Sequence, residues 1–163
     1  MSPRTRKILT RDGAGRLAVL EEPVAPLKPG QVLVDVETSL ISPGTELGGV
    51  KRARENPSDR PPRTFGYANA GVVIEQGEGC EDIPLGTRVA CMGGGYAEHA
   101  SYACVPRNMA IPMPDGVTFD QAAFCTLAAT SLNAIRRAEL QLGEFLAVVG
   151  LGVVGRQGDP PQF

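Results

Sequence analysis

Hydrophobic and polar residues alternate in short bursts through the first two thirds of the chain. Gln31-Val-Leu-Val-Asp-Val-Glu-Thr38 has the two-residue period of a half-buried strand. Ala70-Gly-Val-Val-Ile-Glu75, Arg88-Val-Ala-Cys-Met92 and Tyr96-Ala-Glu-His-Ala-Ser-Tyr-Ala-Cys-Val105 read as further strands. Residues 5–20 read as a hairpin around Asp12-Gly13. Turns are expected at Ser42-Pro43-Gly44-Thr45, Pro84-Leu-Gly-Thr87 and Gly93-Gly94-Gly95, and a breaker-rich connection at Pro23, Pro26, Pro29 and Gly30. Short strands at such close spacing predict a mainly β barrel or sandwich.

The period lengthens after Pro114. Phe124, Leu127, Ala128, Leu132 and Ile135 fall at helical spacing, and Thr118 with Gln121 has the form of a capping box. A helix over about 119–139 is expected, with the weak helix formers Thr130 and Ser131 as a place for a break. Leu142-Gly143 ends it. Glu144-Phe-Leu-Ala-Val-Val149 is then a near-continuous apolar run, the pattern of a strand buried on both faces of a parallel sheet. This divides the chain into a β domain (1–117), a connecting helix with the opening of an α/β domain (118–155) and an irregular tail (156–163).

Composition narrows the class. Glycine and proline make up 34 of the 163 residues, with no three-residue period to suggest collagen. The net charge of −2 and the recurring apolar runs argue against disorder and against a dedicated nucleic-acid binder. No stretch is long and apolar enough to suggest a membrane span, and nothing resembles a signal peptide. The densest basic stretch, Lys51, Arg52, Arg54, Arg60 and Arg63, is interleaved with Pro57, Pro61 and Pro62. It reads as a solvated, proline-stiffened loop rather than a phosphate-binding patch, because no aromatic lies among the charges for stacking. Cys80, Cys91, Cys104 and Cys125 form no CxxC pair, so a structural zinc clip is not expected. Free thiols in a reducing cytoplasm are expected instead, as small buried apolar groups.

Directly after the apolar run stands Gly150-Leu-Gly152-Val-Val-Gly155, a GxGxxG. Its glycines suit a tight turn, close approach of backbone to pyrophosphate and close helix–strand packing. A full dinucleotide site also needs a helix of several turns, a second strand and an acidic residue about 20 positions on. Only eight residues follow Gly155, with Gly158, Pro160 and Pro161 among them. The sequence therefore reads as truncated or altered just inside a nucleotide-binding domain.

In order along the chain, Ser39-Leu-Ile-Ser-Pro-Gly-Thr-Glu46, Phe65-Gly-Tyr-Ala-Asn-Ala-Gly-Val-Val73, Gly86-Thr-Arg-Val-Ala90, Gly95-Tyr-Ala-Glu98, Pro114-Asp-Gly-Val-Thr-Phe-Asp-Gln-Ala-Ala123 and the glycine motif resemble the medium-chain dehydrogenase/reductase family of the zinc-type alcohol dehydrogenase kind. The resemblance spans nearly all of residues 7–156. It implies a GroES-like, partly open β-barrel followed by a Rossmann domain, NAD or NADP as cofactor, and an alcohol or carbonyl small-molecule substrate. A homo-oligomer is compatible with the complete enzyme.

The departures from the family bear on mechanism. Where zinc members carry cysteine, histidine and a third ligand, this chain has Pro43, Tyr67 and Thr126, with Cys125 one position away. Catalytic zinc needs nitrogen, sulfur or carboxylate ligands, so a metal is not expected. The resemblance then implies Tyr67 as a proton donor in a vacated ligand position and Thr45 near the nicotinamide. It implies Glu46 at a carboxylate position that supports the metal site in relatives. For the cofactor it implies Thr130, Gly150, Gly152 and Gly155. Thr130 also reads as a helix threonine bonded back to its own turn, and Tyr67 as an ordinary barrel aromatic. The lone His99 reads as a surface strand position, since no nucleophile-elbow motif accompanies it. The leading expectation is a zinc-independent NAD(P)-linked oxidoreductase fragment, inactive by itself. The alternative is a stand-alone GroES-like binding module without catalysis.

Overall fold

The computed structural model describes residues 4–150 and 152–157. Strands β1 (Thr5–Arg11) and β2 (Leu17–Pro23) form the expected hairpin, paired from Thr5 opposite Pro23 to Arg11 opposite Leu17. The Asp12 carboxylate makes the turn by accepting the backbone N–H groups of Ala14 and Arg16, both at 2.9 Å. A short strand β4 (Arg63–Thr64) adds to the other edge of β1, giving the order β2-β1-β4.

The second sheet has the order β7-β3-β5-β6-β8, every neighbouring pair antiparallel. It is built from β3 (Gln31–Ser39), β5 (Ala68–Gln76), β6 (Arg88–Met92), β7 (Tyr102–Pro106) and β8 (Ala110–Pro112). Val32, Val34, Val73, Val89 and Val105 form its core with Cys80 and Cys91, all fully buried. Leu33 is buried as well, so the middle of β3 is covered on both faces rather than half-buried as its alternation suggested. Gly71 permits the bulge there: a Cβ would stand 2.0 Å from the Asp35 carbonyl oxygen.

Two expected elements came out differently. The segment read as a strand over Tyr96–Val105 is strand only from Tyr102; residues 96–101 are turn and bend. They nevertheless join the sheets, because Leu9 N–H donates to the His99 carbonyl at 2.9 Å and Ser101 N–H to the Lys7 carbonyl at 2.9 Å. Likewise the expected turn at Ser42–Thr45 begins a wide helical turn, Pro43–Leu47, that runs into α1 (Gly48–Glu55). Lys51, Arg52 and Arg54 of the basic stretch read as loop are therefore helical, seated by the buried Val50.

The C-terminal helix is broken, as allowed for, but at Phe124 rather than at Thr130-Ser131. It comprises α2 (Phe119–Ala123) and α3 (Cys125–Arg137). Thr118 and Gln121 form the reciprocal capping box that starts α2. Ala122 packs on Ala70 and Ala90 of the sheet. Beyond α3 the apolar run Glu144–Val149 carries no strand, and Phe145 and Val149 are fully exposed. A parallel strand exists only through ladder bonds to neighbours, and none lies beside this run among the described residues. A short helix α4 (Val153–Gln157) follows Gly152 and takes in the first two positions of the expected tail. The expectation of irregular chain at Gly158, Pro160 and Pro161 lies outside the described residues.

Candidate functional site

The wide turn after β3 presents two neighbouring candidates in opposite directions. Thr45 is exposed; Glu46 is buried at 7% exposure. Buried carboxylates need partners, and Glu46 has two. One oxygen accepts the Ser42 backbone N–H at 2.6 Å and the other lies 2.9 Å from His99 Nε2. His99 is itself 8% exposed, which corrects the expectation of a surface position. Its Nδ1 stands 2.9 Å from Ser39 Oγ, and the Phe65 ring meets it edge-on with centroids 5.5 Å apart. With the Glu46 carboxylate as the acceptor, Nε2 carries a proton, and Nδ1 shares the second hydrogen bond with the Ser39 hydroxyl. Ser39–His99–Glu46 is thus a continuous hydrogen-bonded line from an exposed serine to a buried carboxylate.

Neither Ser39 nor His99 was singled out from the sequence as a partner of Glu46. The three are 7 and 53 residues apart along the chain, and only the bend at 96–101 brings them together. Beside them Glu98 is buried too, accepting from Thr64 Oγ1 and, at 3.1 Å, from Arg6.

Tyr67 is half-buried on the segment between β4 and β5. Its carbonyl accepts the Gly93 N–H at 3.0 Å and the Thr126 hydroxyl at 3.4 Å. Two of the three positions at which the resemblance expected metal ligands therefore adjoin, at the start of α3. Their donors do not suit zinc. Pro43 has no side-chain donor, and the Thr126 hydroxyl is engaged with a carbonyl. Cys125 faces the Ala70–Ala90–Ala122 cluster, and burial raises its thiol pKa.

The cofactor candidates separate into two groups. Thr130 is exposed, with its hydroxyl bonded back to the Thr126 carbonyl at 3.0 Å, so it takes up the local helix bond. Gly150 and Gly152 lead into α4, and Gly155 lies in its first turn: Gly150 has φ +98°, and a Cβ on Gly155 would lie 2.1 Å from the Gly150 carbonyl oxygen. Glycine is thus required at both ends. Ser131 ties this turn to α3 by donating to the Val154 carbonyl at 2.7 Å.

The alcohol dehydrogenase GroES-like domain model matches residues 28–115, more than half of the chain. The chain belongs to this family. It is 28% identical over 175 residues to the (R,R)-butanediol dehydrogenase of Bacillus subtilis, covering 86% of this chain and 49% of that one. A trans-enoyl reductase of Gibberella fujikuroi is 30% identical over 138 residues, covering 78% and 37%. Among solved structures, a short chain alcohol dehydrogenase from Escherichia coli CFT073, complexed with cofactor NADH, superposes with a TM-score of 0.78 at 20% identity over 94% of this chain and 52% of that one. The GroES-like domain chain spans about half the length of these relatives or less.

Proposed function

We propose that this GroES-like chain is the substrate-side part of a zinc-independent, NAD(P)-linked oxidoreductase that exchanges hydride between nicotinamide and an alcohol or carbonyl carbon. The observation that carries this reading is the occupation of the family's metal-ligand positions by Pro43, Tyr67 and Thr126, with Tyr67 and Thr126 in contact. The cofactor supplies the hydride chemistry when bound. Tyr67 then serves as proton donor to the substrate oxygen, and Thr45 lies toward the nicotinamide. Glu46 holds the turn that carries Thr45 through its bonds to Ser42 and His99. Gly150, Gly152 and Gly155 give the pyrophosphate its close approach to backbone. Thr130 contributes at most a contact, because its hydroxyl is spent on its own helix.

The comparisons lend support to a second substrate class. The likeness to a trans-enoyl reductase points to hydride delivery onto a carbon–carbon double bond conjugated to a carbonyl, which likewise needs a proton donor rather than a metal.

Three measurements test this. Elemental analysis of the purified chain is expected to find well under one equivalent of zinc; a full equivalent sinks the metal-free reading. Titration of the chain with NADH and NADPH, followed by cofactor fluorescence, is expected to show no micromolar binding, because the described residues beyond Gly150 form one short helix and no second strand. A chimera joining residues 1–149 to the cofactor half of the Bacillus subtilis relative is expected to reduce a carbonyl or an enoyl substrate without added metal. Tyr67→Phe in that chimera should lower kcat roughly 100-fold. An unchanged rate removes Tyr67 from the reaction.

A further inference from the structure

The β1–β2 turn, α1 and the proline-rich loop line an open cavity of about 340 Å³. Its basic lining is Arg11, Arg52 and Arg60, with Asn56 and Ser58 as neutral hydrogen-bonding groups. None of the three arginines is in an ion pair among the described residues. The cavity's one carboxylate, Asp12, faces the turn instead and pairs with Arg16 at 2.7 Å. That guanidinium and the turn's N–H groups hold the Asp12 pKa below its usual value.

The arginines are held together by the backbone rather than scattered by chance. Arg11 Nη1 lies 3.0 Å from where a Gly49 Cβ would stand, and Arg52 Nη1 lies 3.7 Å from the same point at Gly48. Two guanidinium groups therefore rest over adjacent glycines of one helical turn. The Arg60 backbone is held at the same turn, because Gly13 N–H donates to its carbonyl at 3.1 Å and Ser58 N–H donates to the Gly13 carbonyl at 3.0 Å. Arg63, directly opposite Arg11 across the ladder, adds a fourth positive charge. Like charges placed so close repel unless an anion lies between them. The planar forks of arginine match a phosphate group's oxygens in pairs.

We propose that this cavity binds the dianionic phosphate group of a small polar molecule, with Arg11, Arg52 and Arg60 as its ligands. The volume exceeds what a bare phosphate fills, and Asn56 and Ser58 suit hydroxyl groups on the carrier. By sequence this stretch reads as solvated for want of stacking aromatics, but a phosphomonoester needs none. The site lies in a different part of the fold from Tyr67 and stands independently of the oxidoreductase reading.

Calorimetric titration of the full chain at constant ionic strength tests the site, with inorganic phosphate, glycerol 3-phosphate and glycerol as probes. Saturable one-to-one binding of glycerol 3-phosphate, tighter than phosphate and absent for glycerol, is expected and assigns the site to a phosphorylated small molecule. Equal binding of the two phosphates assigns it to the free ion. Arg52→Gln, an exposed side chain whose loss leaves the fold intact, should weaken either about tenfold, and Arg11→Gln with Arg60→Gln should abolish binding. Arg107→Gln, at the distant pair with Asp82, should change nothing. Undiminished binding in Arg52→Gln overturns the proposal. So does capture of a short DNA duplex without saturable binding of either phosphate.

Discussion

His99 Nε2 stands 2.9 Å from Glu46 Oε1 with both side chains buried, so this pair locks the 96–101 bend onto the turn after β3. It is the only salt-bridge-capable contact among the described residues in which both side chains are less than a tenth exposed. The backbone of the same bend also meets β1, where the Leu9 N–H donates to the His99 carbonyl.

His99→Ala is expected to cost about 2–3 kcal/mol, because Glu46 keeps only the Ser42 N–H as a partner in a buried place. Glu46→Gln should cost about 1 kcal/mol, since an amide oxygen still accepts from Ser42. Urea denaturation of the two variants reads this order. Equal stability of His99→Ala and wild type would show the contact to be energetically idle.

Gly66→Ala should be among the most damaging single changes in the chain. Gly66 has φ +125°, and an added Cβ would lie 2.5 Å from His99 N. Backbone strain and overpacking then act together, at about 3 kcal/mol or more. A melting temperature within a few degrees of wild type would contradict this.

Thr118→Ala removes one half of the capping box and should lower stability by about 1 kcal/mol. Gln121→Ala removes the other half, in which the Thr118 N–H donates to the Gln121 side chain at 2.9 Å. The double variant should cost less than the sum of the two, because each bond supports the other. Strict additivity would count against the reciprocal geometry.

The thiols should divide by burial. Desolvation pushes Cys91 up to about 12 from an ordinary 9.0 and also raises Cys104 and Cys125. Alkylation by iodoacetamide at pH 8 should leave Cys91 unmodified in the folded chain. It should reach Cys104 and Cys125 first, since both thiols are only partly buried. The linkage has a definite sign. An unfolded Cys91 ionises above about 9 while the folded one stays protonated, so stability falls as pH rises from about 9 towards about 12. In Cys91→Ala that part of the alkaline loss should vanish; if the slope persists, another group is responsible.

Local chemistry was legible in the chain by itself. The hairpin turn at Asp12-Gly13, the capping box and the glycine turn rest on interactions within a few residues, and the two-residue period located the strands at 31–38, 70–75 and 88–92, β3 being more deeply buried than its alternation suggested. The ordered motifs also determined the family, because a whole series of spacings is far more specific than one. Tertiary structure decided the rest. It turned 96–101 into a bend and buried His99, since a lone histidine carries no sign of which distant carboxylate will meet it. It made α1 out of a basic, proline-flanked stretch, because one buried Val50 suffices to seat that helix. It left 144–149 without a strand, because a buried parallel strand is a property of its neighbours and not of its own sequence. And it brought Arg11, Arg52 and Arg60 to one cavity, a relation between charges that distance along the chain hides.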